Sequence, residues 1–440
     1  MNKFFAVFLL TFATVQIFAQ NVGIGITTPG AGLHLVSDNG IIAKGSYNQG
    51  VIINESGQGS RMLFYPRKGA FRAGYLDQTG ADYWNDASTG NFSVGLGHNV
   101  KASSNGAVAI GENAIAAGTN STAIGYGCSA EVANSIVFSG VGSYAKGQFA
   151  VAIGNFVNAN SFGSVALGRN VNAGYGFAGY GQNCYAIGIG DASGFTSGGH
   201  YATGSRAFAI GNNSVSVGDR AFAIGNGCSA GQFFENGNSG RYSFAIGNSC
   251  QASGIFSFAF GNNANTDGHQ GSMVLGSRID GVGVLSPGDF HFLAQFAGGY
   301  QLQSNNAGTL GVYLNPNTSS WGSICDSTRK EQVLIMNDEE TLEKLAAINY
   351  TSWKYKDDPD VTNRHYGIMA QDFYGAFGKD ALGKIGNDTL VNPIDLLGVA
   401  YSAIKALEKR TSEMEILKSE NEQLKLRMEK LEARLVAKKD

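Results

Sequence analysis

Asn113–Gly125 reads NAIAAGTNSTAIG, and variants of it return through the middle of the chain. Leu96, Ile110, Ile124, Phe138, Ile153, Leu167, Ile187, Ile210, Ile224, Ile246, Phe260 and Leu275 each sit in a small-apolar-Gly unit or a closely related one. Their spacings are 14, 14, 14, 15, 14, 20, 23, 14, 22, 14 and 15 residues. A 14-residue period is too short for a helical hairpin repeat. It suits one coil of a β-solenoid, with two strands of about five residues and two tight turns. In the quoted copy Ile115 and Ile124 supply large apolar groups, while Ala114, Ala116 and Ala123 keep the interior narrow. Gly118 and Asn120 suit turns that need positive φ. The longer intervals imply loops extruded from single coils around Gly174–Tyr180, Ser193–Gly204 and Gln232–Arg241. These aromatic-rich excursions are candidate contacts with an outside ligand.

The rest of the chain is a different physical object. Residues 1–324 hold 57 of the 63 glycines, with 13 Lys/Arg and 13 Asp/Glu; residues 325–440 hold 6 glycines, with 18 Lys/Arg and 21 Asp/Glu. The charged fraction of 15% overall is well below the roughly 25% of ordinary globular domains. A net charge of −3 leaves no electrostatic footprint for nucleic acid and no polybasic membrane patch. At the start, Lys3 followed by the apolar run Phe4–Val15 and the small Ala19 has the layout of a secretory signal, cleaved before Gln20. No cysteine follows the run to carry a lipid, and no later segment approaches the roughly 20 apolar residues of a membrane helix. The expected product is exported and has no membrane span after signal removal.

Five cysteines in an exported chain invite a disulfide framework. Cys128, Cys228 and Cys250, however, each follow the Ile of an Ala-Ile-Gly unit by four residues, at a position where other copies carry Ala114 or Ala264. They read as small buried hydrophobes, and Cys184 reads similarly. No CxxC, HExxH or histidine cluster is present, so no metal site and no cofactor are expected. Gly188-Ile189-Gly190-Asp191 reads as a turn, since no helix pattern follows it and it does not recur in tandem. The acids of the repeat region (Glu112, Glu131, Asp191, Asp219, Glu235, Asp267, Asp280) do not fall on neighbouring coils as a glycosidase pair would require. Before the repeats, Asn21–Pro29, Arg61–Gly74 and Trp84 form an aromatic-rich lead-in of short strands. After them, Phe290–Leu314 alternates enough for two or three strands.

Trp321–Ile335 reads WGSICDSTRKEQVLI. Cys325 and Lys330, five apart, have the chemistry of a nucleophile–base pair: a neutral lysine takes the proton and the thiolate attacks a carbonyl. A lone cysteine and a lone surface lysine are the plainer reading of the pair by itself. Further on, Ala403, Leu407, Arg410, Met414, Leu417, Asn421, Leu424, Met428, Leu431 and Leu435 alternate spacings of four and three without a break. That is a heptad seam, with Asn421 at an a position fixing register.

Two resemblances join these readings. Residues 91–280 resemble the head repeats of YadA-like trimeric autotransporter adhesins, which implies a left-handed parallel β-roll in a homotrimer; the family's membrane barrel is absent. Cys325-Asp326 to Lys330, Leu342–Trp353, Tyr355 and Arg364–Phe373 resemble the intramolecular chaperone peptidases that end phage tailspikes and endosialidases. Their motif is S-D-x-x-x-K, and those domains trimerise a passenger and then cut before the serine. The resemblance implies Cys325 as nucleophile in the serine's place, Lys330 as general base, the scissile bond Ile324–Cys325, and positioning by Asp326, His365 and Gln371.

The sequence therefore predicts a mainly β chain: a parallel β-roll of 14-residue repeats, a small α+β chaperone domain and a C-terminal coiled coil. The expected divisions are 1–19 signal peptide, 20–90 lead-in, 91–280 roll, 281–324 connector, 325–402 chaperone and 403–440 coiled coil. The expected protein is an exported or cell-surface homotrimeric fibre of a Gram-negative bacterium, binding a surface glycan or host-surface ligand. The alternatives are a tail-fibre-like glycan-degrading enzyme and a structural surface protein with an inactive chaperone. Monotonous repeats leave alignment between chains poorly specified, and helical contacts form fast, which gives the C-terminal module its purpose.

Overall fold

The computed structural model describes residues 21–54, 56–174, 181–191, 199–232, 240–277, 282–360 and 362–438. The chain forms two compact units, one comprising residues up to 302 with 313–322, the other 303–312 with 323–440. The first unit is dominated by two long sheets. The larger has 15 strands; it begins with the antiparallel pair Gly59–Tyr65 and Ala70–Leu76 and then runs parallel from Val94–His98 to Phe292–Phe296. The smaller has 12 short parallel strands, from Lys101–Ala102 to Val284–Leu285. One coil is thus a five-residue strand such as Val108–Glu112, a corner, a two-residue strand such as Ile115–Ala116, and a second corner. The expected second long strand is short because the corners consume the residues: Asn113 and Asn120 take left-handed φ of 54° and 55°.

Register follows the repeat. Ile110 pairs with Ile124, Ile124 with Phe138, and Phe138 with Ile153. It is kept across the long intervals as well, with Leu167 against Ile187, Ile187 against Ile210 and Ile224 against Ile246. The longer intervals therefore leave the coils on either side in register. Residues 175–180, 192–198 and 233–239, the bulk of the three candidate contact loops, lie outside the described residues.

The interior is built of small side chains. The second residue of each long strand, from Ala109 and Ala123 to Ala245 and Ala259, is fully buried, as are Ala114 and Ala116. The large apolar residues on either side of that alanine point the other way. Phe138, Ile153 and Phe260 are 42%, 40% and 48% exposed, and Ile124 is half-buried. Beside them Tyr185, Phe208, Phe222 and Phe244 stack coil on coil, with centroids 4.6, 4.9 and 4.8 Å apart. The isoleucines thus line the outside of the tube, because strand alternation gives one face to alanine and the opposite face to the large residues. The glycine after them has a separate cause. Gly125 has φ of +134°, and a Cβ there would lie 1.7 Å from the Ser139 carbonyl oxygen of the next coil. Gly118 has no positive φ; it is required by close approach, with the Val132 carbonyl oxygen 2.1 Å from where a Cβ would stand.

The second unit packs α1 (Asp338–Ala346), the antiparallel pair Thr351–Trp353 and His365–Gly367, α2 (Ala370–Phe377) and α3 (Pro393–Val436). Its core is Ile348, Phe373, Phe377 and Val399, with Leu345, Ile368 and Leu396 against it. Asn337 and Asn392 cap α1 and α3 through side-chain oxygens. The first half of α3 docks on α1: Ser402 donates to Asp338 at 2.6 Å, Lys405 pairs with Asp338 at 2.9 Å, and Arg410 pairs with Glu339 at 2.7 Å. Ala403, the first seam residue, is buried in that contact. From Leu407 to Leu435 the apolar seam residues are all exposed. No helix among the described residues is long and apolar enough to cross a membrane.

Candidate active site

Extended chain would hold residues five apart about 17 Å from each other. Between Cys325 and Lys330 it folds instead into a single 3-10 turn, Ser327–Arg329. Asp326 caps this turn, accepting the Thr328 backbone N–H at 2.9 Å and the Thr328 hydroxyl at 2.8 Å. These two bonds, with a smaller contribution from Arg329, hold the Asp326 carboxyl below the usual carboxylate range. The turn is closed by Arg329 N–H to Asp326 O at 3.1 Å and Lys330 N–H to Ser327 O at 3.2 Å. Arg329 also donates to the Thr309 carbonyl at 3.1 Å. The result brings the Lys330 Nζ to 2.9 Å from the Cys325 Sγ, with the lysine donating. Both side chains are exposed, and Ile324 ahead of them is half-buried.

The remaining residues named from sequence lie elsewhere in the unit. His365 pairs with Trp353 across the two-stranded sheet, stacks on its ring at 4.7 Å and meets Tyr355 edge-on at 5.5 Å. Gln371 is exposed in the first turn of α2. Among the described residues no hydrogen bond or ring contact joins His365 or Gln371 to Cys325 or Lys330. Asp326 bonds Thr328 within the turn that separates Cys325 from Lys330. Trp353, Tyr355 and His365, which enter the sequence reading separately through the family resemblance, form one aromatic cluster in the fold.

The thiols in the roll are of another kind. Cys128 and Cys184 are fully buried, and burial pushes them up to about 11 and about 12. Cys325 is the exposed cysteine. Among the described residues no group of three or more His, Cys, Asp or Glu is placed to hold a metal ion.

Residues 325–381 match the family described as chaperone of endosialidase, Peptidase_S74, so the match begins at the cysteine of the pair. Residues 102–127, 139–156, 202–227 and 239–264 match the YadA head domain repeat. The chain carries YadA head repeats and a chaperone-of-endosialidase domain. No curated protein matches the chain. The head repeats are the coils whose alanines close the tube and whose isoleucines face outward. The chaperone domain is the unit in which Lys330 meets Cys325, and its match ends ahead of α3.

Proposed function

We propose that the protein is an exported homotrimeric fibre or adhesin whose C-terminal domain is an intramolecular trimerisation chaperone that cuts the chain before Cys325. The observation that carries this reading is the inverted packing of the roll. Alanine fills each tube, and a continuous column of isoleucine, leucine and phenylalanine is left outside along one sheet. A column of that length is what neighbouring chains bury on assembly, at about 25 cal/mol per Å² of apolar surface. The exposed seam of α3 supports the same assembly, with chains joined by a helical bundle.

The contact between Lys330 and Cys325 supports self-cleavage. Cys325 Sγ attacks the Ile324 carbonyl carbon, and neutral Lys330 takes the thiol proton and passes it to the Cys325 nitrogen as the peptide bond breaks. Water then hydrolyses the thioester, leaving a carboxylate on Ile324 and a new amino terminus at Cys325. Lysine works as a base when burial disfavours its charge, so assembly, by covering the exposed pair, would time the cut. In this reading residues 1–19 are the signal, 91–280 the roll, 325–402 the chaperone and 403–440 the coiled coil. The extruded loops contact a surface glycan or host-surface ligand.

The test is intact mass spectrometry of the purified protein beside Cys325→Ala and Lys330→Ala. A fragment beginning at Cys325 in the parent alone is the expected result. An uncut parent chain ends the peptidase reading, and a parent that sediments as a monomer ends the assembly reading.

A further inference from the structure

In each coil one residue at the entry to the short strand, just before it or its first residue, is buried in the tube. Successive coils place Val100, Ala114, Cys128, Ser143 and Val157 there, and further along Ser214, Cys228, Cys250 and Ala264, all fully buried or nearly so. The parallel registers decide which of these touch. Ser129 pairs with Ile115 on one side and Tyr144 on the other, so the neighbours of Cys128 are Ala114 and Ser143. Ser229 pairs with Gln251, which sets Cys228 directly against Cys250. The ladder is closed at that step, with the Ser229 N–H donating to the Cys250 carbonyl at 2.7 Å. Cys184, in front of the long strand Tyr185–Ile189, belongs to a different column, between Ser164 and Ala207.

Each thiol donates to a carbonyl of the next coil at 3.2 Å, Cys228 to Gly247 and Cys250 to Gly261, so both sulfurs lie in the same interior column on adjacent coils. The neighbouring thiol holds Cys228 below the usual thiol value and pushes Cys250 above it. Paired strands stand about 4.8 Å apart, inside the Cα separation of about 4.4–6.8 Å that a disulfide accepts.

We propose that Cys228 and Cys250 are a dithiol that closes to a disulfide when the chain folds under oxidising conditions, stapling two adjacent coils of the roll. The Cys228 thiolate attacks a small disulfide oxidant such as glutathione disulfide and displaces one glutathione thiolate. The Cys250 sulfur then displaces the second, so the two protein thiols give up two protons and two electrons, and one oxidised glutathione becomes two reduced. The link spans 22 residues of sequence and ties together coils otherwise held by backbone hydrogen bonds and small-residue packing. In the reduced chain the same pair fills the tube as small apolar groups.

The test refolds the full chain in a buffer of reduced and oxidised glutathione, traps free thiols with iodoacetamide under denaturing, non-reducing conditions, and maps the peptides. The expected product is a Cys228–Cys250 linked peptide pair about 2 Da lighter than its reduced parts, with Cys128, Cys184 and Cys325 alkylated. The thermal midpoint of the parent falls by several degrees on adding reductant. Cys228→Ala and Cys250→Ala are compatible with a column that already carries Ala114 and Ala264, and their midpoints do not respond to reductant. Alkylation of both residues in a folded parent, or a linked pair that involves Cys128 or Cys184 instead, overturns the proposal. If a variant fails to fold, the peptide map of the parent decides by itself.

Discussion

The roll and the C-terminal unit both leave apolar surface uncovered, but they differ in how specifically each could find a partner. In the roll the uncovered column repeats: Ile124, Ile153, Ile187 and Ile224 occupy equivalent places, each in a coil much like its neighbours. A slip by one coil exchanges one isoleucine for another and changes little. In α3 the seam is interrupted by Arg410, which is tied to Glu339 of α1, and by Asn421. A slip there sets a polar group against leucine. In the proposed trimer, length of apolar surface would give the roll strength of association, and irregularity would give the helix its alignment.

The largest expected effect breaks this division of labour outright. A chain ending at Ser323 keeps all the coils and loses the helix, and it is expected to form misaligned aggregates with little defined trimer. Light scattering coupled to gel filtration reads the outcome, and rapid assembly of a uniform trimer would show that the coils align themselves.

Next in size is Gly125→Ala, which places a Cβ 1.7 Å from the Ser139 carbonyl oxygen at φ of +134°. It is expected to cost the roll about 3–5 kcal/mol in a denaturant melt, while the helical signal of the C-terminal unit stays unchanged. A loss of helix would show that the two units fold as one.

A third effect is pH-dependent and confined to the roll. His200 is fully buried in the interior column; its Nε2 bonds the Ala209 carbonyl at 3.2 Å and its Nδ1 accepts the Ser214 N–H at 3.1 Å. Burial holds it below the usual imidazole value of 6.5. The unfolded chain therefore binds the proton more readily. The His200 contribution is complete above pH 6.5 and is lost as the pH falls below it, by at most about 1.4 kcal/mol per pH unit. Melts of the parent between pH 7 and pH 5, beside His200→Val, should show a slope in the parent that the variant lacks.

The smallest effect concerns the docked half of α3. Arg410→Ala removes an exposed ion pair with Glu339 and is expected to cost about 0.5–1 kcal/mol in a melt of the C-terminal unit. A larger loss would mean that Arg410 also sets the angle at which α3 leaves α1.

Much of this was legible because it is periodic or local. The spacing of Leu96 to Leu275 dictated a coil per repeat, and each stacked in the expected register, including across the longer intervals. The 4-3 spacing from Ala403 to Leu435 lies on one continuous helix. The pairing of Cys325 with Lys330 was readable as an offset of five. What brings them together, the Asp326 cap on a 3-10 turn, is a local side-chain-to-backbone hydrogen bond that Asp-x-Thr sequences make in some contexts and not in others. His365 stacks on Trp353 because the antiparallel register of Thr351–Trp353 with His365–Gly367 decides which ring it meets, and that pairing is not local in the sequence.

By itself the sequence determined the repeat length, the positions that must be glycine or small, the break in character near residue 325 and the helical seam, since each depends on side-chain size or spacing along one segment. The tertiary structure decided which face of each strand is inside, which two cysteines share a rung, and which stretch of α3 is occupied by α1. Alternation along a strand separates two faces without naming them; only the closing of the coil, which leaves room for alanine and none for isoleucine, assigns the interior.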